Sequence, residues 1–331
     1  MSRAPRRVMR GPLAKTRAAL AAAAIIVGVT AVVPLAGLGS TAASASASAS
    51  TGTTYPVTID AANGNITIAH KPTSVISLSA TGTEMLFAIG AGHQVRAVDT
   101  YSDYPKNAPR TKLSAYQPNV EAIVAYKPDL VVVAGDTTGL TTALAKFGIP
   151  VLSEPAAATL AQAYAQYVQL GTATDHVNQA RAEVSKVRGQ LAQIVKSVPK
   201  PAHAGSRTYY WELDQTYYSA TSATFIGQLL GSLGMTNIAD AANGAAASGG
   251  YPQLSAEFII KANPSYMFLA DTICCGQSAR TVAKRPGWST LAALKDGHVV
   301  ALNDDIASHW GPRTVNLLRA VAAALTTHSH T

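Results

Sequence analysis

The side chains with most to offer chemically are aromatic. Tyr101, Tyr104, Tyr116, Trp211, Tyr217, Tyr218, Tyr251 and Trp310 all fall in or beside loops that follow short apolar runs. Rings of this kind give a large flat contact at small entropic cost, which suits a bulky planar ligand. Asp304 and Asp305 can accept hydrogen bonds, Arg313 can clasp a carboxylate with two parallel bonds, and His309 offers one imidazole that an iron centre could take as an axial ligand. Tyr101 or Tyr116 could ligate such an iron in the same way. The histidines share no ligand spacing, so no dedicated bare-metal site is expected. Ser79, His70 and Asp99 have the types of a hydrolytic triad, but no Gly-x-Ser-x-Gly surrounds Ser79, so catalysis is not expected. The two cysteines, Cys274 and Cys275, are adjacent. That count excludes a disulfide framework, though in an oxidising compartment the pair can close a loop-stiffening vicinal bridge.

Two runs of alternating strand and helix must position these groups. In the first, apolar segments at Val75–Leu78, Val95–Val98, Leu130–Ala134 and Val151–Leu152 read as strands, after a hairpin signal at Asn63-Gly64. Ser79–Thr83 reads as a small-residue loop, with a helix from Glu84 to Ile89. Asn119 caps a short helix, and further helices are expected over Thr138–Phe147 and Thr159–Leu170. The second run has strands at Tyr209–Leu213, Tyr266–Ala270 and Val299–Leu302, with helices at Ala223–Leu233, Glu257–Ala262 and Thr314–Leu325. Strands apolar on both faces and alternating with helices indicate parallel sheets covered by helices, an α/β fold in two lobes.

Between the runs, Val177, Ala180, Val184, Val187, Leu191, Ile194 or Val195, and Val198 recur at helical spacing. Arg181, Glu183, Lys186, Arg188 and Gln190 lie opposite. Thr174 or Asp175 can cap this helix, Pro199 ends it, and over Asp175–Val198 it would run roughly 36 Å, enough to join two domains. One repeat is countable. Glu121 lies seven residues before Pro128 and Glu257 seven before Pro264, each proline preceding an apolar strand. Both glutamates fall in the first turn of a short helix, where the dipole favours a carboxylate, and form matching acidic knobs, one per lobe.

Composition bounds the rest. The 331 residues carry a formal charge of +8. Arg3, Arg6, Arg7, Arg10, Lys15 and Arg17 supply six of those charges, and no acidic residue precedes Asp60. The basicity therefore belongs to the N-terminus and gives no argument for nucleic acid. An apolar run from Ala18 to Val33 and Ala-x-Ala sites between Ala43 and Ala49 have the layout of a secretory signal, with an uncleaved membrane anchor as the alternative. No cysteine ends the apolar run, so no lipoprotein attachment is expected, and the remainder is expected outside the cytoplasm.

The segment Val75-Ile-Ser-Leu-Ser-Ala-Thr-Gly-Thr-Glu-Met-Leu-Phe-Ala-Ile-Gly90 resembles the opening of the substrate-binding proteins of iron-siderophore, haem and cobalamin ABC importers. So do Tyr101-Ser-Asp-Tyr-Pro105, Asn119–Leu130, Arg285-Pro-Gly-Trp288 and Gly311-Pro-Arg313. The resemblance, nearest to the cobalamin-binding member, implies two lobes joined by one rigid helix, and a monomer that hands its cargo to a membrane permease dimer. It implies lobe-tip contacts with the permease at Glu121 and Glu257. It also aligns Tyr101, Tyr116 and Tyr251 with ligand-contacting aromatics, two of which, at 116 and 251, are tryptophans in the cobalamin binder. The expected division is a signal peptide and leader at 1–50, an N-terminal lobe at 55–155, connecting helices at 156–200 and a C-terminal lobe at 205–327. The expected ligand contacts are Tyr101, Tyr116, Trp211, Tyr251, Asp305, His309, Trp310 and Arg313. The expected cargo is a ferric siderophore or cobalamin, with haem as the alternative; no intrinsic cofactor is expected. A secreted hydrolase and a two-lobed surface sensor are the rival classes.

Overall fold

The computed structural model describes residues 52–135 and 139–327. The expected signal run and leader, Thr138, and the tail histidines His328 and His330 lie outside them. In the first half the elements are β1 (Val57–Ala61), β2 (Gly64–Ile68), β3 (Val75–Leu78), α1 (Ala80–Ala88), β4 (Val95–Val98), α2 (Val120–Val124), β5 (Leu130–Val133), α3 (Leu140–Ala145) and β6 (Val151–Ser153). Two long helices follow, α4 (Leu160–Thr174) and α5 (Val177–Ser197). The second half contains β7 (Thr208–Glu212), α6 (Phe225–Ser232), β8 (Thr236–Asn237), α7 (Ala256–Ala262), β9 (Tyr266–Leu269), α8 (Thr272–Cys275), α9 (Ala279–Ala283), α10 (Ala292–Lys295), β10 (Val299–Ala301), α11 (Asp304–Ser308) and α12 (Thr314–Thr327).

Each half builds a four-stranded parallel sheet, ordered β4-β3-β5-β6 in one lobe and β8-β7-β9-β10 in the other. The orders superpose strand for strand, so the lobes are internal repeats of one α/β plan. The central strands β3, β5 and β9 are buried at every position, as helices on both faces require. The β1–β2 hairpin is tied to the first sheet by Asn63. Its Nδ2 donates to the Val151 carbonyl at 2.9 Å, and its Oδ1 accepts from the Ser153 amide at 3.2 Å.

Of the expected loop Ser79–Thr83, Ala80–Thr83 is helical and forms the start of α1. Ser79 caps α1 by accepting from the Gly82 amide at 3.0 Å. The small residues are there for packing: a Cβ on Gly82 would stand 3.1 Å from Val132 Cγ1. Close approach of the helix to β5 therefore outweighs the low helix propensity of glycine.

The expected long helix is α5. Its cap differs from expectation: Asp175 is the left-handed C-cap of α4, with φ 64°. The Asp175 carboxylate instead accepts from Lys71 Nζ at 3.0 Å and the Thr53 amide at 2.6 Å. Glu183, expected in water, is buried and bound to Lys186 at 3.0 Å. Along α5, Ala180 belongs to the core of the N-terminal lobe, whereas Val187, Leu191 and Val198 belong to that of the C-terminal lobe. The neighbouring α4 does the same in reverse, with Ala163 in the second core and Tyr167, Leu170 and Ala173 in the first. Both helices thus bridge the two cores.

Candidate ligand cleft

The carboxyl ends of β3, β4 and β5 open onto a cavity of about 400 Å³. This is where parallel α/β sheets bind ligands, because strand-end loops and helix N-termini converge there. Ser79, Ala80 and Thr81, at the start of α1, line it together with Asp99 from the end of β4. Tyr101 and Tyr116 line it from the long loop that follows. Their rings meet edge to face at 5.0 Å, and both are well exposed. The opposite side comes from the second half of the chain: Asp305, Ser308, His309 and Trp310, on α11 and the turn after it. Beneath the cavity runs a buried hydroxyl network. Thr83 Oγ1 lies 2.9 Å from both Ser77 Oγ and Ser102 Oγ, and Asp99 accepts from the Ser102 hydroxyl at 2.7 Å. Burial nonetheless pushes the Asp99 carboxyl up, against these hydrogen bonds.

The two halves are clasped at this cavity by charge. Glu84 of α1 is buried, and its Oε1 lies 2.8 Å from His309 Nδ1 and accepts from Arg313 Nη2 at 2.6 Å. The Arg313 guanidinium also lies over the Tyr104 ring, 4.6 Å from its centroid. The Trp310 indole N–H donates to Gln166 Oε1 on α4. Asp305 has no such partner among the described residues. Burial, and after it the Asp103 carboxylate, pushes its carboxyl up.

Of the residues expected to touch ligand, Tyr101, Tyr116, Asp305, His309 and Trp310 come together on this cavity. Arg313 stands behind it, bound to Glu84 instead of being open to a carboxylate. Trp211 is fully buried in the C-terminal core beside Phe268 and faces no cleft. Tyr251 is partly exposed on the loop before α7, away from the cavity lining. Asp304 offers nothing to a ligand: its carboxylate accepts the amides of Thr272, Ile273 and Cys274 at 2.8, 3.0 and 2.7 Å, capping α8. Cys274 and Cys275 at the end of that helix are joined by a disulfide. The imagined triad is not assembled, since Ser79 Oγ caps α1 and Asp99 bonds Ser102. Sequence reasoning missed Glu84, which it read only as the start of a helix. It also missed Glu212 and Arg285, a bidentate pair at 2.6 and 2.7 Å at the end of β7. Glu121 and Glu257 are both exposed in the first turns of α2 and α7, which precede the equivalent strands β5 and β9.

Two homologous α/β lobes, a bridging helix pair and a cavity walled by both halves define a two-lobed ligand-binding protein. The chain belongs to the periplasmic binding protein family, whose model matches residues 75–306. It is 29% identical over 320 residues to an ABC transporter substrate-binding lipoprotein, YvrC, of Bacillus subtilis, covering 94% of this chain and 98% of the relative. It is 32% identical over 279 residues to a cobalamin-binding protein of Halobacterium salinarum, covering 82% and 74%. Among solved structures, a periplasmic solute-binding protein of Staphylococcus epidermidis superposes with a TM-score of 0.68 at 26% identity, over 78% of this chain and 100% of that one.

Proposed function

We propose that the protein is the extracytoplasmic binding component of an ABC importer, which captures a metal chelate of the cobalamin or ferric-siderophore class between its lobes and delivers it to a membrane permease. The observation that carries this is the cavity itself. It sits at the strand ends, has Tyr101 and Tyr116 on one wall and Trp310 on the other, and draws one wall from each half of the chain. Likeness to a cobalamin-binding protein and to an ABC transporter lipoprotein supports the same reading. Tyr101, Tyr116, Trp310, Asp305 and His309 are the proposed contacts, and Glu121 and Glu257 the proposed permease contacts. Among the described residues no helix is long and apolar enough to cross a membrane. The protein is proposed to act as a monomer outside the cytoplasm.

A ligand that binds only the folded state raises the melting temperature by mass action, by roughly 2.7 kcal/mol of stability at a hundredfold excess over Kd. Purified protein screened with cyanocobalamin, haemin and ferric siderophores should respond to at least one, and Tyr116→Ala should blunt the response. No shift with any chelate would sink the reading. Haem has one specific observation in its favour: His309 lines the cavity with Nδ1 held by Glu84, and among the described residues no hydrogen bond engages its Nε2. That alternative requires a Soret band which weakens in His309→Ala.

A further inference from the structure

The cleft is acidic, and we infer that it selects chelates by charge, admitting neutral or cationic complexes and turning away anionic ones. This deepens, and rests on, the reading of the cavity as a chelate site. No lysine or arginine lines the cavity among the described residues, whereas Asp99 and Asp305 both do. Lys106, Arg110 and Lys112 belong to the same long loop as Tyr101 and Tyr116 but do not line it, and Arg110 donates to the Thr100 carbonyl.

The nearest guanidinium, Arg313, is already taken. It donates to Glu84, sits over Tyr104, and feels the Asp103 and Asp305 carboxylates as well. The local group is therefore one arginine against four carboxyls, Glu84, Asp99, Asp103 and Asp305. One feature opposes this balance without reversing it: the N-terminus of α1 at the cavity floor contributes about half a positive charge. The Asp305 carboxyl, already held up by burial and by Asp103, would be pushed further by a neighbouring anion and relieved by a cation. Among the described residues, a ligand carboxylate or catecholate would find only the partial charge of the α1 N-terminus and no lining lysine or arginine, whereas amide donors and cationic chelates would find Asp305. Haem illustrates the conflict: His309 can meet its iron, but no lining cation among the described residues meets its propionates.

The test is titration of the purified protein, followed by tryptophan fluorescence and calorimetry, with four probes at low and high salt. They are neutral cyanocobalamin, cationic ferrioxamine B, and the anions haemin and ferric enterobactin. The expected result is that cyanocobalamin or ferrioxamine B binds about a hundredfold tighter than either anion. Asp305→Lys should shift the ratio toward the anions by about tenfold, and Asp305→Asn by less. Melting curves confirm that the variants fold, and Asp305→Asn carries the test if Asp305→Lys does not. Haemin or ferric enterobactin binding tightest would overturn the charge rule while leaving the cleft as a chelate site. A preference unmoved in a folded Asp305 variant would overturn its cause. Silence from all four probes with intact wild-type protein would remove the chelate-site reading, and this inference with it.

Discussion

Two buried glutamates show how differently one residue type behaves. Glu84 has partners, His309 and Arg313 from the far end of the chain. Removing one member of a buried pair leaves the other charge uncompensated, which typically costs about 3–5 kcal/mol. Glu84→Ala should therefore lower the urea midpoint strongly, and adding Arg313→Met should recover part of the loss. A double variant no more stable than Glu84→Ala would show that the pair is not coupled. Glu154, after β6, is buried with no counter-charge among the described residues, and burial pushes its carboxyl from 4.5 up to about 8. Between those values the unfolded chain has released this proton and the folded chain keeps it, so stability falls as pH rises through that window and levels off above it. Glu154→Gln cannot ionise, so it should gain on the order of a few kcal/mol over the native protein at pH 8 relative to pH 5. Parallel urea curves for the two proteins at both pH values would refute the assignment. Neither role was legible in the sequence, where Glu84 and Glu154 are lone acids in apolar surroundings. A carboxylate's partner 225 positions away leaves no local pattern. The aromatics were legible as a set because strand-end loops converge, but Trp211 was not separable from them. It lies on β7 itself, and the pleat turns it into the core.

At the scale of elements, the bridging pair α4 and α5 depends on one glycine. A Cβ on Gly171 would stand 2.6 Å from the Ala180 Cβ, closer than real side chains approach. Gly171→Ala must therefore push the helices apart, at a cost of about 1–3 kcal/mol. Gly189, on the exposed face of α5, has nothing within 4 Å. There alanine should stabilise by about 0.5–1 kcal/mol through helix propensity alone. Chemical denaturation of the two variants should move the midpoint in opposite directions; equal shifts would mean that the helices do not meet at Gly171. The length and apolar stripe of α5 were readable because 21 residues hold a helical period. Its cap was not, since Asp175 satisfies both the N-cap preference and the left-handed turn that ends α4. The start of α1 was obscured in the same way: Ser79–Thr83 has loop composition, and only contact with Val132 explains it. Strand β8, two residues long, is too short to show any period.

The whole molecule is a doubled plan, and Glu121 and Glu257, the proposed permease contacts, stand at equivalent places in it. The sheets share one strand order, α2 stands before β5 as α7 stands before β9, and each helix opens on a side-chain cap, Asn119 in one and Ser255 in the other. Each carries its exposed glutamate in the first turn. Neither acid touches the cavity, and neither has an ion-pair partner among the described residues. Exposed first-turn acids without an ion-pair partner contribute little to folding, because solvent screens their interaction with the helix dipole. They are suited to steering and registering a partner of opposite charge and matching symmetry, such as the paired subunits of a permease. Replacing both with alanine should leave chelate affinity within about twofold and the melting temperature nearly unchanged, since both effects lie outside the cleft and the cores. Uptake by reconstituted transporter should fall by about tenfold or more, with each single variant intermediate. If the double variant instead loses chelate binding, these residues serve the cleft. If uptake persists at the native rate, the permease grips the lobes elsewhere.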